Sequence, residues 1–364
     1  MKPLFLIAAA ALLATAPAPR AALRSRTFRL TCRATVPAPP VGTKALEFWM
    51  PVPHSDKSQD VSELKIECPA ASQATLPDGW QQSKYTVETD QYGNQMLHMR
   101  MAAAREFKPG MTFNVDNLAK QVNKLPLVPI APLTFTLMAR ITRREHQNLR
   151  ATDDHAPAET EATDPNQARW LAPDRLVPLD AKIKALAQEV VDNAHATTPL
   201  AKARAIYEHV VGTMKYDKTG EGWGRGDIYY ACDARRGNCT DFHAVFIGYC
   251  RAQGIPARFS IGLPLPAQRG KAEVKGYHCW AEFFTPATGW VPVDASEAAK
   301  DPTRRGYFFG AHDENRVEFT RGRDLVLTPK QAGEPLNYFV YPYAEADGKV
   351  VEVAHTYTFE DVAP

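Results

Sequence analysis

From Asp180 onward the chain keeps its helical and extended patterns apart, with helices first and strands after. A first helix is signalled by Asp180 as its cap and by Ile183, Leu186, Ala187, Val190, Val191 and Ala194 at helical spacing. The next is capped by Thr198 with Pro199 at its first position, and Ala203, Ile206, Tyr207, Val210 and Met214 form its apolar face. A third runs from Cys239 to Ala252, with Phe242, Val245, Phe246 and Tyr249 on one face, until Gly254 and Pro256 stop it. Strand patterns follow at 257–263, 277–285, 290–293, 317–319 and 324–327. A closing hairpin joins 337–343 to 349–358 through Asp347-Gly348. This order predicts an α+β domain with an antiparallel sheet over residues 179–364. It excludes a doubly wound parallel sheet, in which strands and helices alternate.

Upstream the pattern is different. Short strand-like runs at 27–34, 46–52, 85–89, 96–101 and 133–141 are broken by proline, glycine and aspartate, and the run Asp90-Gln91-Tyr92-Gly93-Asn94 reads as a hairpin turn. Prolines number 29 in 364 residues, about 8% against a usual ~5%, which favours short strands over long helices. A β-sandwich-like domain is therefore expected over 23–145. Residues 146–178 carry Asp153, Asp154, Glu159, Glu161 and Asp164 with almost nothing apolar before Trp170, which reads as a mobile acidic linker. At the start, Lys2, an apolar run over 4–13 and small residues at 14–16 read as a secretory leader over about residues 1–22. The protein is accordingly expected to be exported, periplasmic or extracellular, with no stable membrane insertion once the leader is removed. The 43 basic residues, two of them in the leader, face 41 acidic ones. This scattered, balanced charge argues against a nucleic-acid partner, which needs a basic footprint.

Three segments carry chemistry: Arg236-Gly237-Asn238-Cys239-Thr240-Asp241-Phe242-His243, Gly276-Tyr277-His278-Cys279-Trp280-Ala281-Glu282, and Gly289-Trp290-Val291-Pro292-Val293-Asp294. A cysteine in the first turn of a helix faces free amide hydrogens and the positive end of the helix dipole, which favour its thiolate. His278 falls within a strand and Asp294 closes the next one after a short turn, so antiparallel pairing brings imidazole and carboxylate together. The acid would orient the base, the base would move the proton, and the backbone N–H of Cys239 would help hold an oxyanion.

Gly-x-Cys-x-Asp opening a helix, His-x-Trp-x-Glu on a strand and Asp-Ala-Ser after the next strand resemble the core of the transglutaminase-like superfamily. Their order and spacing cover about residues 179–298, and the segment from Ala252 to Arg258 resembles that core as well. The β-sandwich-like domain before it fits the same resemblance, and residues 307–348 look like the tail of bacterial exported members. By that resemblance Cys239 is the nucleophile, His278 the general base and acid, and Asp294 the orienting group. The reaction implied is acyl transfer from an amide or peptide bond of a protein or peptide substrate, through a thioester. Hydrolysis by a cysteine protease or amidase is slightly favoured over amine cross-linking. Related enzymes complete the oxyanion hole with a side chain upstream of the cysteine, and the candidates here are Tyr216 and Trp223. No cofactor or metal is expected: there is no EF-hand-like acidic loop, and the cysteines and histidines lack zinc-site spacing.

Some readings stay open on the sequence alone. His243 sits four residues after Cys239 and competes with His278 as the base. The run 220–226 is glycine-rich and reads as a flexible lid beside the cysteine. Among the six cysteines, Cys32 and Cys68 are a candidate pair, Cys250 reads as a small buried hydrophobe, and Cys232 and Cys279 are either buried thiols or a redox lock on the site. The alternative function is a non-catalytic envelope scaffold with a vestigial triad.

Overall fold

The computed structural model describes residues 23–67, 85–103, 105, 108, 111, 117–127, 130–149 and 167–363. The N-terminal elements are β1 (Ser25–Val36), β2 (Ala45–Val52), β3 (Gln59–Glu67), β4 (Thr86–Thr89), β5 (Gln95–Ala102), α1 (Leu118–Val122), β6 (Leu133–Arg144) and β7 (His146–Gln147). There follow α2 (Ala181–Asn193), α3 (Pro199–Thr213), β8 (Lys215–Tyr216), α4 (Ile228–Ala234), β9 (Arg236–Gly237) and α5 (Cys239–Ala252). Then come β10 (Ala257–Pro264), β11 (Lys271–Glu273), β12 (His278–Thr285), β13 (Gly289–Val293), α6 (Ala295–Lys300), β14 (Ala311–His312) and β15 (Arg316–Arg321). The chain closes with β16 (Tyr343–Ala346), β17 (Lys349–Val351) and β18 (Ala354–Asp361).

The molecule is α+β with almost wholly antiparallel sheets, as expected. Two five-stranded sheets, ordered β11-β18-β1-β6-β3 and β17-β16-β2-β5-β4, form the strand-rich layers. Their inner faces meet through alternating residues such as Phe28, Leu30, Phe48, Phe135 and Leu137, with Phe48 and Phe135 stacked at 4.0 Å between ring centroids. The sequence reading needs correction at its domain boundary. The closing strands, assigned to the second domain, belong to these sheets: β18 pairs with β1 from Phe28 opposite Asp361 to Thr35 opposite Ala354, and β16 pairs with β2. Antiparallel pairing needs only register and apolar alternation, so strands more than 300 residues apart in sequence can fill one sheet.

The expected linker is also corrected where it is described. His146–Gln147 pairs with β14, Asn148 donates to the Thr288 carbonyl at 2.8 Å, and Trp170 and Asp174 are buried, Asp174 pairing with Arg251 at 2.6 Å. Around 324–327, where a strand was expected, Leu325 makes only an isolated bridge to Leu336. Cys32 is a buried free thiol, whereas Cys68, its proposed partner, lies outside the described residues, as does the expected leader. No helix among the described residues is long and apolar enough to cross a membrane.

A four-stranded sheet, β13-β12-β10-β15, carries α5 on one face. Instead of showing one apolar face, α5 is buried on every side from Cys239 to Arg251. Its polar residues therefore need partners: Arg251, for example, donates to Ala257 and Ala172 carbonyls and to Asp174. At the outer edge of this sheet the amides of Gln59 and Asn94 substitute for a strand. Gln59 donates to the Glu318 carbonyl at 3.0 Å and accepts from its N–H at 2.9 Å, and Asn94 does the same for Arg321 at 2.8 and 2.7 Å. The strand-rich layers thus seal the edge strand that bears Arg316.

Candidate active site

Cys239 is the first residue of α5 and only 2% exposed. Its helix begins with a capping box. The Asn238 side chain accepts from Thr240 N–H at 2.9 Å, and Asp241 reaches back to Asn238 N–H at 2.9 Å. Gly237 supplies the backbone turn before it at φ +154°, where a side chain would collide with Asp241. The groups that act most on its thiol are Cys279 and His278. Burial opposes ionisation, yet Cys279 and the charge of His278 outweigh it and pull Cys239 well below the ordinary thiol range.

His278 opens β12, and the β12–β13 register places Ala281 opposite Val293, so Asp294 lies diagonally across from His278. Their contact closes at 2.7 Å, Nε2 to Oδ2. Burial alone would lower His278, but the Asp294 carboxylate and its hydrogen bond, together with Cys239, raise it to about 10. Asp294 is fully buried and also caps α6. It accepts from Arg316 at 3.1 Å, from the Ser296 hydroxyl at 3.0 Å and from Glu297 N–H at 3.0 Å. Desolvation is overcome by His278 and Arg316, which hold its carboxyl well below the usual range. All three shifts run toward the charged forms, and Nε2 of His278 is held by Asp294.

His243, the other candidate base, is engaged elsewhere. Its Nε2 accepts the Ala295 backbone N–H at 3.2 Å, which fixes the neutral tautomer, and burial lowers its pKa further. It stands 3.8 Å from Asp294 Oδ1 without taking the place of His278.

The two oxyanion candidates separate. Tyr216 ends β8, which pairs in parallel with β9 just ahead of Cys239, and the Cys239 charge helps burial raise the tyrosine's pKa. Trp223 is turned to its own loop, its indole N–H donating to the Gly220 carbonyl at 3.0 Å. That loop is clamped, which corrects the lid reading. Asp241 accepts from Gly224 N–H at 2.7 Å and Gly226 N–H at 3.0 Å, and Arg323 donates to the carbonyls of Gly226 and Arg225 at 2.8 Å each. Glycine is required at 226, where φ is +62° and a Cβ would lie 2.8 Å from Thr240.

Sequence reasoning missed Arg316, the clamping role of Asp241, and Tyr277, whose hydroxyl meets Asn238 and Thr240 at 3.0 Å each. Tyr277 and Asp241 had local signals, the one directly before His278 and the other closing the motif that opens α5, whereas Arg316 had none. Among the described residues no group of three or more His, Cys, Asp or Glu side chains is arranged to hold a metal ion.

With this geometry in hand, residues 184–295 match the family model of the transglutaminase-like superfamily. The core of this chain is a transglutaminase-like domain. An uncharacterised protein of Haemophilus influenzae is 27% identical over 333 residues, spanning 83% of this chain and 80% of its own. A proposed cysteine protease from Cytophaga hutchinsonii shares the fold, with a TM-score of 0.53 and 12% identity over 94% of each chain. The periplasmic domain of TgpA from Pseudomonas aeruginosa aligns more loosely, with a TM-score of 0.36 and 18% identity over 77% of this chain and 93% of that one. The transglutaminase-like domain here supplies the helix with Cys239, the strand with His278 and the turn with Asp294, and the strand-rich layers brace its edge.

Proposed function

We propose that this chain is an exported cysteine-dependent acyl-transfer enzyme that cleaves a carboxamide or peptide bond of a protein or peptide substrate. The carrying observation is the buried His278–Asp294 contact at 2.7 Å, with both oxygens of Asp294 engaged, beside a Cys239 thiol drawn below the ordinary range. Cys239 attacks the carbonyl carbon, and the oxyanion is met by the Cys239 backbone N–H at the helix start and by the Tyr216 hydroxyl. His278 passes its proton to the departing amine, leaving a thioester on Cys239. It then takes a proton from the incoming nucleophile, while Asp294 holds the imidazole in position. Water is the acceptor we favour, in keeping with the protease reading given to the solved protein of the same fold.

The test is a panel of glutamine-containing and unrestricted peptides incubated with and without an added primary amine. Released ammonia, cleaved peptide, amine conjugate and acylated Cys239 are followed by mass spectrometry. Acylated Cys239 with hydrolysed product supports the reading, and conjugate in place of hydrolysis transfers the acceptor role to amines. Absence of acyl-enzyme and product across the panel, with an ordinary Cys239 thiol, would assign the chain to the scaffold class. Within the active enzyme, Tyr216→Phe is expected to lower kcat by about 10²-fold, the scale of one lost oxyanion donor.

A further inference from the structure

Cys279 takes no part in the acyl-transfer line, yet it touches the nucleophile. It lies on β12 one residue after His278, fully buried against the first turns of α5. Its sulfur is 3.8 Å from the Thr240 hydroxyl and 3.7 Å from His243 Nδ1, the side chains that flank Cys239 on its own helix. The two thiols also act on each other electrostatically, Cys279 helping to lower the pKa of Cys239 and Cys239 helping to raise that of Cys279. The other described cysteines are placed differently: Cys32 lies in the strand-rich core, Cys250 is buried in the last turn of α5, and Cys232 meets the Tyr249 hydroxyl at 3.3 Å. All five described cysteines are free.

We propose that Cys239 and Cys279 form a reversible disulfide, a redox lock in which the nucleophile is withdrawn by a neighbour built into the same site. The inference rests on Cys239 being the nucleophile. Two features of the contact favour it. The Cys279 sulfur lies against Thr240 and His243, neighbours of Cys239 on the helix that packs on this strand, so the fold brings the two cysteines to one helix–strand contact, as a disulfide requires. The chemistry is also split as thiol–disulfide exchange requires, one sulfur being the ready thiolate and the other a protonated thiol in reserve.

The oxidant is an external disulfide, of the kind an exported protein meets. Cys239 thiolate attacks one sulfur of R–S–S–R, forming Cys239–S–S–R and expelling R–S⁻. The departing thiolate takes the Cys279 proton and leaves as R–SH. Cys279 then attacks the Cys239 sulfur and expels the second R–S⁻, so two protein thiols are oxidised and one external disulfide is reduced to two thiols. Reduction by an external dithiol reverses both steps.

The experiment uses the full chain, reduced and then equilibrated across a series of glutathione and oxidised glutathione mixtures, quenched with acid, alkylated with iodoacetamide and peptide-mapped. Wild type is expected to lose alkylation at Cys239 and Cys279 together, to give their two peptides joined by a disulfide with no glutathione retained, and to recover fully with dithiothreitol. Cys279→Ser and Cys279→Ala are expected to stop at a Cys239–glutathione adduct, each compared with its own reduced state. Wild type that accumulates the same adduct, or keeps both thiols alkylatable across the whole series, overturns the lock. The readout needs no turnover. Failure of the acyl-transfer reading appears separately, as an ordinary alkylation profile for Cys239 in the fully reduced protein.

Discussion

Two fully buried aspartates, Asp294 and Asp241, each stand at the start of a helix, and they are pushed in opposite directions. Asp294, at the cap of α6, faces full positive charges on His278 and Arg316 and is held well below the carboxylate range. Asp241, in the first turn of α5, has three backbone N–H donors from Gly224, Gly226 and Asn238, and burial still raises it. Dipoles alone do not offset the desolvation of a carboxylate here; charged partners do. The two regions accordingly have different work. The Asp294 side balances charge around His278 and Arg316, whereas the Asp241 side fastens the 220–226 loop to the helix that opens on Cys239.

Asp294→Asn should break the comparison most severely. It keeps the shape but removes the charge that holds His278 protonated, and a loss of about 10⁴-fold in kcat/KM is expected, as for other orienting acids changed to amides. A loss within tenfold would make Asp294 a second fastener. Asp241→Asn should leave the alkylation profile of Cys239 on its neutral-pH plateau. It should destabilise the fold by about 2–3 kcal/mol in urea unfolding, because one amide nitrogen must now face backbone donors. If its thiol profile shifts as far as that of Asp294→Asn, the division of work fails.

The pH dependence of stability sharpens the contrast. Asp294, with its folded pKa depressed, contributes stability that is present above about pH 4 and lost as pH falls. Asp241, with its folded pKa raised, acts in the opposite sense, its contribution being present below that pH and lost above it. At the alkaline end His278, raised from 6.5 to about 10, contributes stability fully present below pH 6.5 and lost as pH rises through about 10. His278→Ala should lack that alkaline loss in thermal unfolding, and an unchanged loss would show that the imidazolium is not its source. The smallest effect is expected for His243→Ala: a decrease of about 1–2 kcal/mol from the lost Ala295 N–H acceptor and packing, with the thiol profile intact.

How much of this was legible before the fold depended on the range of the interaction. The start of α5 at Cys239, the caps at Asp180 and Thr198, and the hairpin around Gly93 all follow from residues within a few positions of one another, and all are present. The meeting of His278 with Asp294 was also readable, because one short turn sets their register. Arg316 was not, since it reaches Asp294 from a strand that pairs with β10 on the far side of the sheet. The clamped loop was misread for a related reason: glycine content signals local freedom, and the groups that remove it are Asp241, Arg323 and Asn337, distant in sequence. The closing strands β16 to β18 were found as strands but assigned to the wrong sheets. Alternation of apolar residues sets which face is buried and does not name the neighbouring strand.

The most direct test of the account is the rate of Cys239 alkylation by iodoacetamide as a function of pH, by mass spectrometry, in reduced wild type, His278→Ala, His243→Ala and Asp294→Asn. Wild type and His243→Ala should already be on their plateau near pH 7, while His278→Ala and Asp294→Asn shift toward an ordinary thiol near pH ~8.5. A wild-type profile centred near that ordinary value, or one that moves only in His243→Ala, would contradict the thiolate–imidazolium–carboxylate line on which the account rests.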